Sequence, residues 1–266
     1  MNMLPALRVT GIGVWMQGAP DWPTLRDVLR GERKLAEGAT AKPAANVLPA
    51  AERRRAPNGV RLAVEVAAQA TTMAGLDPAT IPCIFASTHG ELAVTDYVCE
   101  TLARAPLELS PTRFHNSVLN APAGYWTIAT GCTAASSATT AHHASFAAGL
   151  LEAATFAIAE DTPVLFASCD VASSGPLAEM TRTTLAFGAA LVLTPSGTAG
   201  AGMTLALNRA PANAPTITPL ALHDVAGDNP ANADALAMLA VLANGKPSHL
   251  TLALSTGLSL DMEIVP

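Results

Sequence analysis

The sequence contains few aromatic and few charged residues. Of its 266 residues, 4% are aromatic and 14% are charged, whereas 50% are hydrophobic. This composition predicts an interior built mainly from alanine, valine, leucine and threonine. The length is sufficient for a sizeable core, and we expect residues 1–266 to form a single domain.

Positive charge is also scarce. The formal net charge is −6, and the only basic run, Arg53–Arg55, has no aromatic residues interleaved with it. General attraction to a phosphate backbone is therefore excluded, and nucleic acid is not expected as a partner. We interpret the basic run as a solvated surface. The alternative is a docking point for an acidic carrier protein.

Long apolar runs are missing from the chain. No run reaches the roughly 18 residues that a membrane span requires. The first residues, "MNMLPALRVTGIGVW", lack the charged region and apolar region of a secretion signal. The sequence therefore predicts a cytoplasmic protein without a membrane span.

Motifs for metals and cofactors are missing as well. The four cysteines form no CxxC pair, so neither a zinc site nor a disulfide framework is predicted. There is no phosphate-binding loop, GxSxG turn or HExxH helix, and "GIGVWM" lacks the third glycine of a dinucleotide-binding motif. We expect no cofactor and no metal.

Segments typical of strands and helices alternate along the chain. Predicted strands are Leu7–Trp15, Pro82–Thr88, Ser137–Thr140, Thr162–Asp170, "LAFGAALVLTPS", "GMTLALNRA", His249–Ser255 and Leu258–Val265. Predicted helices are "WPTLRDVLRG", 58–75, Glu91–Arg104, the segment carrying Phe146, Leu150, Ala154 and Ile158, and Ala231–Asn244, while Glu32–Pro57 is predicted to be a loop. In the helix 58–75, Asn58 is the expected N-terminal cap and Gly75 the expected end. The two strands around the turn "SGTAGAG" resemble a hairpin. This alternation predicts an α/β fold with helices layered on a mixed sheet.

Three histidines are candidates for chemistry. His142 and His143 are adjacent, and adjacent side chains on a helix diverge by ~100°, so if both are helical they cannot face one ligand. We interpret them as a capping or core pair at the start of a packed helix. His89, in "HGE", has no second histidine in register and is interpreted as a loop residue.

One long block resembles a known family. "FHNSVLNAPAGYWTIATG", followed by a Ser/Thr-rich strand, "HHASFAAGLLEA" and "PVLFASCD", is similar to the N-terminal half of β-ketoacyl synthases of the thiolase-like fold. More narrowly, it resembles the short chain length factors of aryl polyene biosynthesis. The resemblance implies a thiolase-like fold, reduced relative to a full ketosynthase. From Pro211 onward the agreement is only in outline.

The resemblance implies that the condensing machinery is absent. In this family a nucleophilic cysteine lies at the N-terminus of the central helix, where the helix dipole favours the thiolate. The matching position here is at or next to His143, and Cys132 lies eleven residues earlier, where it is interpreted as a buried thiol. The last histidines, His223 and His249, are in no recognisable motif. We therefore expect no catalytic residue, and His142 and His143 are not expected to be catalytic.

The resemblance also implies a partner. An inactive subunit of this kind forms a heterodimer with a catalytic ketosynthase through the short strand, shapes its acyl tunnel, and meets the acyl carrier protein through that partner. Phe114 is the expected gate of the tunnel. The other expected gate or interface residues are Asn116, Tyr125, Trp126, Ser137 and Thr139. For Tyr125 and Trp126, packing is the preferred interpretation.

Two alternatives stay open. The chain could be a homodimeric scaffold that binds acyl groups or a carrier protein. It could also be an acyltransferase that uses Cys132.

Overall fold

A computed structural model describes residues 4–37, 42–173, 175–195, 201–208, 229 and 233–265. The strands are β1 Leu7–Met16, β2 Cys83–Ala86, β3 Ser136–Thr139, β4 Val164–Asp170, β5 Phe187–Pro195, β6 Ala201–Asn208, β7 Ser248–Ser255 and β8 Leu258–Val265. The helices are α1 Trp22–Leu29, α2 Ala50–Arg55, α3 Asn58–Ala74, α4 Leu92–Arg104, α5 Pro111–His115, α6 Ala121–Thr130, α7 Ser145–Ala159, α8 Ala178–Thr181 and α9 Ala233–Asn244. No helix in these ranges has the length and apolarity needed to cross a bilayer.

The eight strands form one mixed sheet in the order β3-β2-β4-β5-β1-β6-β8-β7. The pairs β2–β3 and β2–β4 are parallel, and all other neighbours are antiparallel. The strand at the centre of the sheet, β1, separates β5 from β6. The hairpin expected from "LAFGAALVLTPS" and "GMTLALNRA" is therefore wrong, because each of these strands pairs with β1. The turn "SGTAGAG" lies mostly outside the described residues.

Helices cover the sheet in layers. On one face, α3 packs on β1, β4 and β5, and α6 packs on β2 and β3. On the other face, α7 contacts β4 and also β7 from the far end of the sheet. The sheet must therefore curve around α7, with α9 and α1 completing that layer. The expected architecture, helices layered on a mixed sheet, is confirmed.

Small residues allow the layers to approach closely. A Cβ atom at Gly13 of β1 would lie 1.9 Å from the carbonyl oxygen of Val66 in α3. Phe146 of α7 packs on Phe166 of β4 with ring centroids 5.3 Å apart. The alanine-rich, aromatic-poor composition is thus the composition that this close layering requires.

Two local expectations are corrected, and one segment without a predicted element is helical. The segment expected to be a loop before Pro57 contains α2, whose arginines lie at its C-terminal end, where the helix dipole favours positive charge. Asn58 does not cap α3 with its side chain, because it is already the first helical residue and the N-cap is Pro57. The block "FHNSVLNAPAGYW", for which no element was predicted, forms α5 and most of α6. Gly75 ends α3 in the left-handed conformation, as expected.

Candidate functional site

The turn between β3 and α7 holds an unusual backbone. His142 has a φ of 54°, in the left-handed region that few residues other than glycine adopt. Buried Ser145 fixes this turn: its hydroxyl accepts a hydrogen bond from the Ala141 N–H (2.9 Å) and donates one to the His142 carbonyl (2.6 Å). A strained residue between a strand and a helix has the geometry of a nucleophile elbow, which presents one side chain at the end of a sheet.

Three imidazole rings meet at this turn. The ring centroids of His142 and His143 are 4.0 Å apart, and those of His142 and His89 are 5.8 Å apart. Neither His142 nor His143 is helical, since α7 begins at Ser145, and both are exposed. The argument from adjacent helical positions therefore does not apply. The interpretation as a capping or core pair is wrong, because both side chains are exposed and no side chain caps α7. His89 lies in the bend after β2, as expected. We call these three residues the histidine cluster.

Two rings of the cluster, those of His89 and His143, have a lowered pKa. Partial burial lowers the pKa of His89, with Asp170 opposing this shift and His142 adding to it. Partial burial likewise lowers the pKa of His143, and the neighbouring His142 and His89 lower it further. Both rings therefore favour the uncharged imidazole at neutral pH. Among the described residues, no three histidine, cysteine, aspartate or glutamate side chains are grouped so that they could hold a metal ion.

Asp170, the last residue of β4, positions His89. Its buried carboxylate accepts hydrogen bonds from the Ser87 hydroxyl (2.7 Å) and the Thr88 N–H (2.9 Å). Burial raises the pKa of Asp170, and these hydrogen bonds oppose that shift. The carboxylate thus anchors the bend that carries His89 to the end of β2. Sequence spacing gave no sign of this contact, since the two segments meet only through the parallel pairing of β2 with β4.

A cavity and a groove lie on the face of the sheet that α3 and α6 cover. The cavity, about 30 Å³, is large enough for about one water molecule. Its lining includes Ser87, Glu91, Asn116, Val118, Ala121 and Cys169. The groove, about 270 Å³ and mainly apolar, is lined by residues of α2, α5 and α6 and of the segments that flank these helices. The lining includes Leu48, Pro49, Val118, Tyr125 and Ile128. Val118 and Ala121 line both spaces, so Val118, 49% exposed, forms part of the wall between them.

The expected gate residues occupy different environments. Phe114 is 55% exposed and lies outside the linings of the cavity and the groove. Tyr125 lines the groove, and its hydroxyl donates to Oδ1 of buried Asn116 (3.2 Å). Trp126 is fully buried, consistent with packing. Val118 was not singled out in the sequence, although it lies four residues after Phe114 in the same block.

The expected interface strand is at an edge of the sheet. Within the described chain, β3 pairs only with β2, so its other edge is open. Ser137 donates a hydrogen bond to Glu152 of α7 (2.5 Å), and Thr139 is half-buried. Ile128 of α6, which packs beside β3, is 83% exposed. An open strand edge near exposed apolar side chains is a typical protein interaction surface.

The remaining candidates from the sequence are Cys132, His143, His249 and His223. Cys132 is buried, and its Sγ donates to the Ile81 carbonyl (3.5 Å). His143, the expected position of the lost nucleophile, directly follows the left-handed residue His142. His249 is exposed on β7, at the opposite end of the sheet from β3. His223 lies outside the described residues.

A family model decides the relationship. Residues 29–256 match the model of the N-terminal domain of β-ketoacyl synthases. The chain belongs to the β-ketoacyl synthase family. No curated protein matches this sequence.

Solved structures share the fold of this synthase-like chain. It matches a chain of the complex of the ketosynthase ApeO with its chain length factor ApeC from Xenorhabdus doucetiae, with 22% identity, a TM-score of 0.72, and coverage of 98% of this chain and 100% of that chain. The ishigamide ketosynthase/chain length factor matches with 15% identity, a TM-score of 0.68, and coverage of 97% and 99%. A β-ketoacyl synthase from Burkholderia phymatum matches with 16% identity, a TM-score of 0.61, and coverage of 96% of this chain and 76% of that one. The thiolase-like ketosynthase fold is thus confirmed, in a chain shorter than that synthase.

Proposed function

We propose that residues 1–266 act as one β-ketoacyl synthase-like domain that performs no condensation itself. In this proposal the chain is a chain length factor. It pairs with a catalytic ketosynthase and shapes the acyl tunnel of that partner in type II, aryl polyene-type biosynthesis. The protein would act in the cytoplasm, and the acyl carrier protein would deliver its substrates through the partner subunit.

The open edge of β3 carries this proposal. Its backbone groups can accept another strand, and the small side chains of Ser136–Thr139 present little steric obstruction to one. The exposed side chains of Phe114, Val118 and Ile128 come from the neighbouring α5–α6 segment. Burying them against a partner would remove apolar surface from water. Two of the similar structures are themselves ketosynthases with a chain length factor.

The absence of a thiol at the elbow supports a non-condensing role. His142 and His143 occupy the turn before α7. The nearest upstream cysteine, Cys132, is buried, and its thiol donates a hydrogen bond to the Ile81 carbonyl. An acyltransferase that uses Cys132 would need that thiol to be exposed and ionised. Arg54 and Arg55 of α2 are exposed, although Arg55 pairs with Glu52, and half-buried Arg53 donates to Asn46. In this proposal the exposed arginines are the contact for an acidic carrier protein. A further similar structure, with 12% identity and a TM-score of 0.72, contains an acyl carrier protein in complex with its ketosynthase.

The pairing is tested by co-expressing this chain with a ketosynthase encoded beside it and measuring the native mass. We expect a one-to-one complex. Ile128→Asp should separate the two subunits, because it places a charge in the apolar part of the interface. Val265→Asp is the matched control: Val265 is 53% exposed, but it lies on β8, near the other end of the sheet.

The outcomes distinguish the alternatives. Separate subunits in the wild type would overturn the pairing. A stable homodimer of this chain, also broken by Ile128→Asp, would assign the same surface to the homodimeric scaffold instead. Equal loss of the complex with both aspartate variants would show that the α6–β3 surface has no special role.

A further inference from the structure

We propose that α4 and α5 together form an arm that binds the ketosynthase partner through exposed apolar side chains, as a second contact surface besides the β3 edge. We call these two helices the α4–α5 arm. The inference rests on the proposed pairing and extends it. It also states what the arm fits, namely an apolar surface of that partner.

Helix α4 has an apolar stripe that its own chain covers only in part. Val94, Val98 and Leu102 follow one another at intervals of four residues, so they lie on one face of the helix. Val94 is buried, Val98 is half-buried, and Leu102 is 51% exposed. A surface helix normally buries such a stripe against its own domain. The C-terminal half of this stripe is therefore open to a partner.

The arm packs mainly on short helices rather than on the sheet. The principal contacts of α4 are with α5 and with two 3₁₀ turns, 106–108 and 175–177. Two further apolar side chains are exposed on these neighbours: Phe114 on α5, and Met180 on α8, which packs on the second turn. Apolar residues scattered singly on a surface are ordinary, but several on adjoining elements are typical of a protein interaction surface.

Two side-chain contacts hold the arm in one shape. The guanidinium carbon of Arg113 lies 4.1 Å from the centroid of the Tyr97 ring. The Tyr97 hydroxyl accepts a hydrogen bond from the Ser110 N–H (3.0 Å), and the Ser110 side chain in turn caps α5. Helix α5 is therefore fixed on α4 before any partner binds. A surface that is ordered in advance loses less conformational entropy on binding.

The position of the arm indicates which partner covers it. Residues 116–120 join α5 directly to α6, and α6 packs beside β3. A subunit that pairs with β3 can therefore reach the arm without leaving the same side of the molecule. The exposed charges of the last turns of α4, Glu100 and Arg104, pair with each other (2.7 Å), which favours an apolar partner surface over a charged one. The ketosynthase of the proposed complex is the occupant that meets both conditions.

The test measures Kd between this chain and the ketosynthase encoded beside it. We expect Leu102→Asp to raise Kd by roughly ten-fold or more, because it places a charge in the apolar contact. Leu258→Asp is the matched control and should leave Kd unchanged. Leu258 is 43% exposed, close to the value for Leu102, but it lies on β8, toward the opposite end of the sheet from β3.

Hydrogen–deuterium exchange gives a second readout that needs no substitution. We expect the amides of residues 98–104 to exchange more slowly once the ketosynthase is added, because the partner covers them. The exposed turn 244–247, which connects α9 to β7, is the internal control and should exchange at an unchanged rate. Equal exchange in the arm with and without the partner would overturn the inference.

The outcomes separate this inference from the pairing itself. If the wild-type subunits do not associate, both are wrong. If they associate and Ile128→Asp separates them while Leu102→Asp binds as tightly as the wild type, only the arm is wrong. A homodimer of the isolated chain that Leu102→Asp dissociates would assign the arm to a second copy instead. If Leu102→Asp lowers the Tm of the isolated chain, Leu102→Asn must show the same rise in Kd, since it adds a polar group without charge.

Discussion

Glu91 is the carboxyl group that borders the small cavity beside Val118. Burial raises its pKa above the ordinary value of 4.5, and the hydrogen bond from the Gly59 N–H (2.7 Å) opposes this shift. The folded chain therefore binds this proton more tightly than the unfolded chain does. The stabilising contribution is complete below pH 4.5 and is lost as pH rises through the raised pKa.

Replacing this carboxyl group should therefore change the pH dependence of stability. Glu91→Gln keeps an oxygen that accepts the Gly59 N–H but carries no charge at any pH. We expect it to raise Tm at mildly alkaline pH on the order of 2–4 °C, and to have no such benefit in acid. Thermal unfolding across pH measures this effect. Exposed Glu263→Gln is the control, and parallel curves for wild type and Glu91→Gln would contradict the argument.

For individual residues, the sequence predicted only those environments that do not depend on how distant segments of the chain meet. Cys132 was expected to be buried and is buried, because an unpaired cysteine behaves as a small hydrophobic residue. The meeting of His89 with His142 could not be predicted, since it depends on β2 and β3 lying side by side in parallel. The left-handed φ of His142 gives no sequence signal either, because glycine and asparagine are the usual markers of that conformation.

Helix α7 shows how tightly the central layer is packed. A Cβ atom at Gly149 would lie 2.5 Å from the ring of Phe166, whereas one at Gly124 of α6 would meet nothing within 4 Å. The same substitution should therefore have opposite effects. We expect Gly124→Ala to raise the free energy of unfolding by about 0.5–1 kcal/mol through helix propensity. Gly149→Ala should lower it by roughly 1–3 kcal/mol through overpacking.

Urea unfolding measures both variants, with the slope m unchanged if only the native packing is affected. A gain in stability for Gly149→Ala would show that the Phe166 ring moves aside without cost. A loss for Gly124→Ala would show that the α6 surface is less open than the structure indicates.

The elements themselves were largely predictable, and their pairing was not. Buried β4 and the apolar stripe of α7 follow from local pattern, so their bounds agree to within a few residues. The pairing of β5 and β6 through β1 does not, because a strand from the start of the chain enters between two consecutive strands. A glycine-rich turn between two strand segments has the same sequence pattern whether the two strands pair with each other or each pairs with a third strand.

For the whole molecule, the two ends of the sheet differ. The β3 end has an open edge, exposed apolar side chains and the apolar groove, whereas the outer strand at the other end, β7, carries polar outward residues such as His249. A partner that pairs with β3 would lie beside α6, several of whose residues line the groove. In the proposed complex, the groove would then continue the acyl tunnel of the ketosynthase, with Val118 in its wall and Phe114 exposed outside its lining, at the proposed interface.

Product length in the reconstituted complex tests this arrangement. We expect Val118→Phe to shorten the product, because the larger ring would fill the groove next to the wall that Val118 forms. We expect Phe114→Ala to lengthen it, because the change removes bulk at the interface. Leu107→Ala, a fully exposed position outside the groove, is the control. Mass spectrometry of the released acyl chains measures the distribution, and native mass confirms that each complex stays intact. An unchanged distribution in both variants, with the complex intact, would show that this subunit does not set the length.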